Sequence, residues 1–330
     1  MTTTIGRSHT IGDLGTDEML LTVAAKEDVA TDVVALELQS IDGTPLPAWA
    51  PGAHLEFRLP APGGDLIRHY SLCGDPADTA SWRVAVLREP AGRGGSAYIH
   101  DAVAAGDTLV VTGLRNNFPL RESTKYLFVS GGIGITPILP MVRAVAETGG
   151  DWRFVGCTRS TDRLPFPDEV DALPTDHVTV HVDSESGLLD LESLLNSCDA
   201  DTAVYVCGPT GLIDAIEARS EGQDWTFFAE QFAAETVDSS RDQAFEVVID
   251  STGEVVTIPA DKSILHTLND KGFDIPSSCE EGTCGTCETG VLDGIPDHRD
   301  VVLSKAEKAE NDCMMLCVSR AACPRLVLEL

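Results

Sequence analysis

Residues 277–290 read SSCEEGTCGTCETG, with Cys279, Cys284 and Cys287 separated by four and then two residues. The stretch is too rich in Gly and Glu to be a packed core strand, and the start MTTTIGRSHTIGDLG has neither a basic segment nor an apolar run that would read as an export signal. In a reducing compartment, clustered thiols are ligands or buried bystanders rather than disulfides. Paired C-x2-C motifs favour zinc. C-x4-C-x2-C with a distant fourth cysteine favours a [2Fe–2S] cluster. Cys317, in MMLCVSRA, follows Cys287 with 29 residues between and approaches along an apolar run, so it is the preferred fourth ligand. Cys313 and Cys323 flank it and compete. Gly282 and Gly285 let backbone amides turn towards the sulfurs, and such N–H···S contacts tune a cluster's potential. Ser277 and Ser278 either add to this or are plain loop residues.

Outward from the loop, FEVVIDSTGEVVTIPA (245–260) reads as a hairpin, SILHTLNDKG (263–272) as a short helix and RLVLEL (325–330) as a closing strand. Over about 88 residues this segment resembles plant-type ferredoxins, which implies a β-grasp domain. Before it, AAETVDSSRDQ (233–243) is small, polar and charged, the composition of a linker.

Residues 124–232 alternate strand and helix. TKYLFVSGG, WRFVGCTRS, HVTVHVDS and TAVYVCGP read as buried strands, and ITPILPMVRAVAETG, LLDLESLLNS and TGLIDAIEARS as helices. That alternation implies a parallel sheet covered on both faces. VSGGIGITP follows a strand and opens a helix. Gly131, Gly132 and Gly134 allow a pyrophosphate close to the helix N-terminus, Thr136 is placed to cap it and Pro137 suits its first turn. Only a partial dinucleotide fingerprint is present. Cys207-Gly208-Pro209 repeats the device at the end of a second strand. Asp183 and Glu185 in HVDSESG would repel a 2′-phosphate and bind ribose hydroxyls, which favours NADH over NADPH. Arg159 is the opposing signal.

Residues 18–120 read as short alternating strands with Gly/Pro punctuation: MLLTVAAKE, VVALELQS, AHLEFRLP, RHYSLCG, WRVAVLRE and DTLVVTGL. They imply an antiparallel barrel. In RHYSLCGDP, Arg68 can neutralise a phosphate through two parallel bonds, Tyr70 offers a flat face to a ring system and the Ser71 hydroxyl can reach a flavin ring atom. His69 reads as a solvent-facing strand residue. GRGGSAYIHD places Gly94, Gly95 and Ser96 ahead of a helix, a ready anion site.

RHYSLCGDP, GRGGS, SGGIGITP, CGP and SSCEEGTCGTC…MLCVSRA occur in this order over nearly the whole chain. In this the chain resembles the phthalate dioxygenase reductase group of the ferredoxin–NADP reductase superfamily. The resemblance implies a flavin β-barrel domain (1–120), an α/β nicotinamide domain (121–238) and a β-grasp ferredoxin domain (239–330). It implies FMN rather than FAD, held by Arg68, Tyr70, Ser71, Gly95 and Ser96, with backbone contacts at Val86, Leu87 and Arg88. It sets Cys207 near the nicotinamide ring, beside Ser71 as the second residue at the reacting centre, and makes Phe232 in FFAEQF a shield over the flavin. Cys73, Cys157 and Cys198 are left as bystander thiols.

The chain has 330 residues, with 23 basic and 53 acidic side chains and a net charge of −30. The acid is spread: 8 basic against 15 acidic residues over 1–120, 8 against 22 over 121–242, and 7 against 16 over 243–330. This excludes nucleic acid and anionic membranes as partners, and no apolar run suggests a membrane span. The expectation is a cytoplasmic, monomeric oxidoreductase. A hydride donor delivers two electrons together, a cluster accepts one, and a flavin converts between them. The eight histidines are scattered and offer no oxygen-activating triad, so the acceptor is expected to be a separate Rieske-type oxygenase acting on an aromatic or similar substrate. Electron supply to a cytochrome P450 is the alternative. A redox sensor without turnover is a second, which would have no use for two nicotinamide-site turns.

Overall fold

The computed structural model describes residues 18–61, 64–90, 92–232 and 239–330. The N-terminal segment read as lacking an export signal, and residues 233–238 of the expected linker, lie outside them. The chain forms two compact units, Met1–Glu230 and Gln231–Leu330. Among the described residues no helix is long and apolar enough to cross a membrane.

The first unit begins with six antiparallel strands: β1 (Met19–Ala30), β2 (Val33–Ser40), β3 (His54–Leu59), β4 (Leu66–Ser71), β5 (Trp82–Leu87) and β6 (Thr108–Arg115). Their order is β4-β3-β6-β1-β2-β5, and a bridge from Leu72 to Val84 joins the two edges into a barrel. Alternate residues such as Leu21, Val23, Leu36, Leu38, Leu55 and Phe57 fill its interior, as a period of two requires. Helix α1 (Gly95–Ala102) follows β5 and packs against β4 and β5.

Next comes a parallel sheet of β7 (Lys125–Gly131), β8 (Asp151–Thr158), β9 (Val178–Val182), β10 (Thr202–Cys207) and β11 (Thr226–Glu230), in the order β11-β10-β7-β8-β9. Its helices are α2 (Ile135–Glu147), α3 (Pro167–Asp171), α4 (Asp183–Ser186), α5 (Leu191–Leu195) and α6 (Thr210–Ser220). Every residue of β10 is buried, because both faces of a central parallel strand are covered. Helix α2 shares one apolar cluster with Phe128, Phe154 and Tyr205, while α5 and α6 pack with Val129 and Val204 in another. Val33, Ala35 and Ala85, on the outside of the barrel, join the α2 cluster, so barrel and parallel sheet share a core. The shared core is reinforced by Arg83 of β5, whose Nη1 and Nη2 donate to the Glu169 carboxylate of α3 at 2.6 and 2.9 Å.

The second unit has the mixed sheet order β13-β12-β18-β14-β16, from β12 (Phe245–Ile249), β13 (Val255–Ile258), β14 (Glu288–Asp293), β16 (Cys313–Met315) and β18 (Arg325–Leu328). A two-stranded ladder joins β15 (Pro296–Asp297) and β17 (Arg320–Ala321), and the helices are α7 (Ile264–Asn269) and α8 (Lys305–Glu310). β12 and β13 form the expected hairpin, and the last strand inserts parallel to β12. Ser263 caps α7 through the His266 amide, and Ile264, Leu265 and Leu268 press its apolar face into the core. The antiparallel barrel, parallel sheet and β-grasp-like C-terminal unit are the fold class the sequence implied.

Candidate active site

At the end of β4, Arg68, Tyr70 and Ser71 run towards the start of α1. A Cβ placed on Gly95 would lie 2.7 Å from Cγ and 2.8 Å from Nε of Arg68. The arginine therefore lies across the first turn of the helix, and a larger residue at 95 would have to push it aside. Gly94 takes the left-handed conformation (φ 98°) as the residue preceding the helix. Gly95 and Ser96 thus sit within the first turn rather than ahead of it, and the Ser96 hydroxyl accepts from the Glu89 amide at 3.0 Å. A guanidinium over a helix N-terminus with no intervening side chain is a cradle that fits a phosphate. Tyr70 packs on the barrel core, 5.6 Å from the Phe57 ring, and Ser71 is buried. On β5 the Val86 carbonyl contacts the His100 ring at 2.9 Å, the Arg88 amide donates to the Asp32 carbonyl, and Leu87 pairs with Val33. His69 corrects the solvent-facing reading: its Nε2 is 3.3 Å from Glu56 Oε2, and it stacks on His54 at 5.1 Å. Glu56 is buried and draws the imidazole inward.

The second constellation lies at the C-terminal ends of β7, β10 and β11, the edge where open parallel sheets bind ligands. The two glycine turns interlock. A Cβ on Gly134 would meet the Cys207 carbonyl oxygen at 2.1 Å, and one on Gly208 would meet Gly131 Cα at 2.9 Å. Gly134 and Gly208 are thus demanded by backbone meeting backbone, and Gly131 by the Pro209 ring, whose Cδ a Cβ there would meet at 2.5 Å. Gly132, with φ 53° and open space around it, is the glycine a pyrophosphate could approach. Thr136 is not the helix cap. Gly134 holds that position, and the buried Thr136 turns its hydroxyl back to the Ile133 carbonyl at 2.9 Å, bracing the turn. Pro137 falls in the first turn as expected, and Pro209 immediately precedes α6. Arg159 and the Asp183–Ser186 helix share the far edge of the sheet, where the Ser184 amide donates to the Arg159 carbonyl at 3.1 Å.

Register sets Ser130 and Glu230 on either side of Cys207. Cys207 is fully buried, and burial, with Glu230 beside it, pushes its thiol well above the ordinary range. The Glu230 residue is partly exposed, but its Oε2 is buried without a hydrogen-bond partner, and burial raises the carboxyl to about 8. The Ser130 hydroxyl is likewise buried and unpartnered. These unsatisfied groups point to a ligand that completes them. Ser130 and Glu230 were missed by sequence reasoning. Only the strand register brings them to Cys207, although each ends a strand that was itself legible. A carboxyl neutral in the fold up to about pH 8 but ionised in the unfolded chain above about pH 4.5 costs stability as pH rises between those values. Glu230→Gln should therefore gain stability over wild type from pH 5 to 8, reaching on the order of 3 kcal/mol near pH 7. Chemical unfolding at several pH values measures it; a difference that does not grow with pH refutes the assignment.

In the second unit Cys279, Cys284, Cys287 and Cys317 are all buried. The Cys279 sulfur is within hydrogen-bonding range of Cys284 and Cys317, and Cys317 also of Cys287. Amides of Glu281 and Thr283 donate to the Cys279 sulfur at 3.3 and 3.5 Å. The Cys284 and Cys317 thiols, followed by Thr283 and the Glu281 amide, hold Cys279 towards the thiolate. Gly282 and Gly285 have φ of 72° and 79°, the turned backbone the spacing required. Cys313 instead lies on β16 opposite Gly290, and the Cys323 sulfur contacts the Ile295 amide and donates to the Arg325 carbonyl. None of the ten cysteines forms a disulfide. Among the described residues no three His, Cys, Asp or Glu side chains are arranged around a single-ion position. The four thiols contact one another, and their fit to a two-iron cluster rests on spacing, burial and the amide donors. Phe232 stands two residues past β11 and is 40% exposed.

Two families match the chain: a 2Fe-2S iron-sulfur cluster binding domain over residues 247–322 and an oxidoreductase NAD-binding domain over 128–218. The vanillate O-demethylase oxidoreductase of Pseudomonas sp. strain HR199 is 41% identical over 315 residues, 93% of this chain and 98% of that protein. The crystal structure of phthalate dioxygenase reductase superposes with a TM-score of 0.72 at 36% identity, over 95% of this chain and 98% of that one. An intact type IV self-sufficient cytochrome P450 monooxygenase superposes with a TM-score of 0.80 at 39% identity, over 95% of this chain and 41% of that one. With the NAD-binding and [2Fe–2S] domains in place and relatives matched along nearly their full length, the chain belongs to the phthalate dioxygenase reductase-like family of oxygenase reductases.

Proposed function

We propose that this oxidoreductase takes electrons from NADH through FMN to a [2Fe–2S] cluster and delivers them singly to a separate Rieske-type oxygenase. Its parts would be a flavin domain (1–120), a nicotinamide domain (121–238) and a ferredoxin domain (239–330). The observation that carries the reading is that one chain holds both the interlocked glycine turns with the Ser130–Cys207–Glu230 row and four gathered buried thiols. When bound, FMN would accept an electron pair and the cluster would release electrons one at a time.

The protein's own groups do the holding. Arg68 and the amides at the start of α1 bind the FMN phosphate, Tyr70 covers the ring system and Ser71 donates to it. Gly132 and the start of α2 receive the dinucleotide pyrophosphate, with Pro209 fixing the facing turn. Ser130, Cys207 and Glu230 give the nicotinamide a dry edge: an uncharged thiol and, below about pH 8, an uncharged carboxyl that can donate a hydrogen bond. Asp183 and Glu185 select NADH by repelling a 2′-phosphate. Cys279, Cys284, Cys287 and Cys317 hold the cluster.

Supply to a P450 is the second reading, supported by the match to the self-sufficient enzyme. The phthalate reductase is matched over 98% of its length and the P450 over 41%, which favours the first. Mixing holoprotein anaerobically with each nucleotide should reduce the flavin at least about tenfold more efficiently with NADH than NADPH, a 2′-phosphate beside two carboxylates costing roughly 1.4 kcal/mol or more. Equal efficiency contradicts the selectivity. Substrate turnover with a purified Rieske oxygenase but not with a P450 supports the acceptor, and the reverse overturns it.

A further inference from the structure

Lys26, on β1, lies far in sequence from the flavin motifs, yet its ammonium spends all three donors on helix α1. It donates to the Ile99 carbonyl at 2.9 Å, the His100 carbonyl at 2.6 Å and the Val103 carbonyl at 2.7 Å. Ile99 and His100 belong to the last turn of α1, whose carbonyls have no partner within the helix, and Val103 is the residue that ends it. A cation there also lies at the favourable end of the helix dipole. Two more ties fix the helix sideways to β5 and the residue after it: His100 Nε2 to the Val86 carbonyl at 2.9 Å, and a bidentate pair from Arg88 to Asp101, both contacts at 2.7 Å.

We infer that Lys26 is a positioning residue for the flavin phosphate, acting through α1. The helix is eight residues long, and its opposite end carries Gly94, Gly95 and Ser96 against Arg68. Seizing the C-terminal carbonyls fixes where the N-terminal amides point, and the glycine at 95 puts no side chain between that turn and Arg68. The charge of Lys26 never touches the flavin. Its effect falls on the phosphate and not on the ring, because Lys26 acts on the backbone of α1, whereas Tyr70 and Ser71 are placed by the pairing of β4 with β3. The inference rests on the reading that Arg68 and α1 hold the FMN phosphate.

Riboflavin, which has the ring but no phosphate, separates the possibilities. Dissociation constants of FMN and riboflavin for the full chain freed of flavin are measured by fluorescence quenching for wild type, Lys26→Met, Lys26→Arg and Arg68→Ala. Lys26→Met should weaken FMN about tenfold while leaving riboflavin within about twofold, and Lys26→Arg, which can still donate to several carbonyls, should recover most of the loss. Equal weakening of both ligands would show a merely structural role and overturn the inference, as would unchanged FMN binding. Should Lys26→Met fold poorly, the ratio of the two constants in Lys26→Gln, which keeps a polar end but neither the charge nor the third donor, decides: a ratio shifted towards riboflavin supports positioning and an unchanged one refutes it. Loss of FMN preference in Arg68→Ala supports the underlying phosphate site. If wild type does not prefer FMN, or Arg68→Ala keeps the preference, the phosphate reading fails and the role of Lys26 falls with it.

Discussion

Cys317→Ser should remove the iron–sulfur cluster while NADH still reduces the flavin. The Cys317 sulfur stands against Cys279 and Cys287, at the close of an apolar run in which Met314, Met315 and Leu316 are fully buried. A serine hydroxyl is a far weaker acid than a thiol and a poor ligand for iron, and among the described residues neither of the two nearby cysteines is placed to substitute. Cys313 is fixed on β16 by its pairing with β14, and the Cys323 sulfur is committed to Ile295 and Arg325. Iron and acid-labile sulfide per chain should fall at least about tenfold, and Cys313→Ser and Cys323→Ser should leave both near wild type. Normal cluster content in Cys317→Ser would move the ligand to one of those two.

Gly134→Ala should damage the nucleotide half of the first unit about as severely. The new methyl would stand 2.1 Å from the Cys207 carbonyl oxygen, 2.4 Å from its carbon and 2.8 Å from the Gly208 nitrogen. All three are backbone atoms and cannot rotate away, so the turns must separate. Overpacking of this kind costs about 3 kcal/mol, and the separation would also displace Cys207 from Ser130 and Glu230. Denaturant unfolding of the first unit should shift by that amount and NADH should reduce the flavin more slowly, with iron content unchanged. Gly132→Ala is the control: open space surrounds it, so its penalty is confined to the left-handed backbone, about 1 kcal/mol. Equal stability of the two variants would mean that the turns do not interlock.

What the sequence disclosed follows from which signals are local. The barrel and parallel-sheet strands were legible because a period of two or a short buried run, closed by Gly or Pro, is written into consecutive residues. Cys279, Cys284 and Cys287 were legible because their ligand spacing is local too. The short helix Lys305–Glu310 was not recognised, although Ser304 and Glu307 form a capping box that a search for Ser-x-x-Glu would have found. Gly131 and Gly134 were read as room for a ligand, but they make room for the Cys207–Gly208–Pro209 turn, some 75 residues away. Thr136 looked like a cap because capping residues precede helices, yet the helix starts a residue earlier, through the turn at Gly132–Gly134. Glu230 sat unnoticed among the phenylalanines of FFAEQF, since nothing local marks a carboxyl that strand register buries beside a thiol. His69 reads as solvent-facing because nothing in its own motif calls for it, whereas Glu56 on the paired strand holds it.

The proposed electron path runs within one chain, from nicotinamide through flavin to the iron pair. Anaerobic titration of the full holoprotein with NADH, following flavin absorbance and the paramagnetic signal of the reduced cluster together, tests it directly. Both centres should be reduced, with uptake of about three electrons per chain, and in Cys317→Ser only the flavin should respond. Flavin bleaching with a wild-type cluster that stays oxidised, or thiols found to hold zinc, would contradict it.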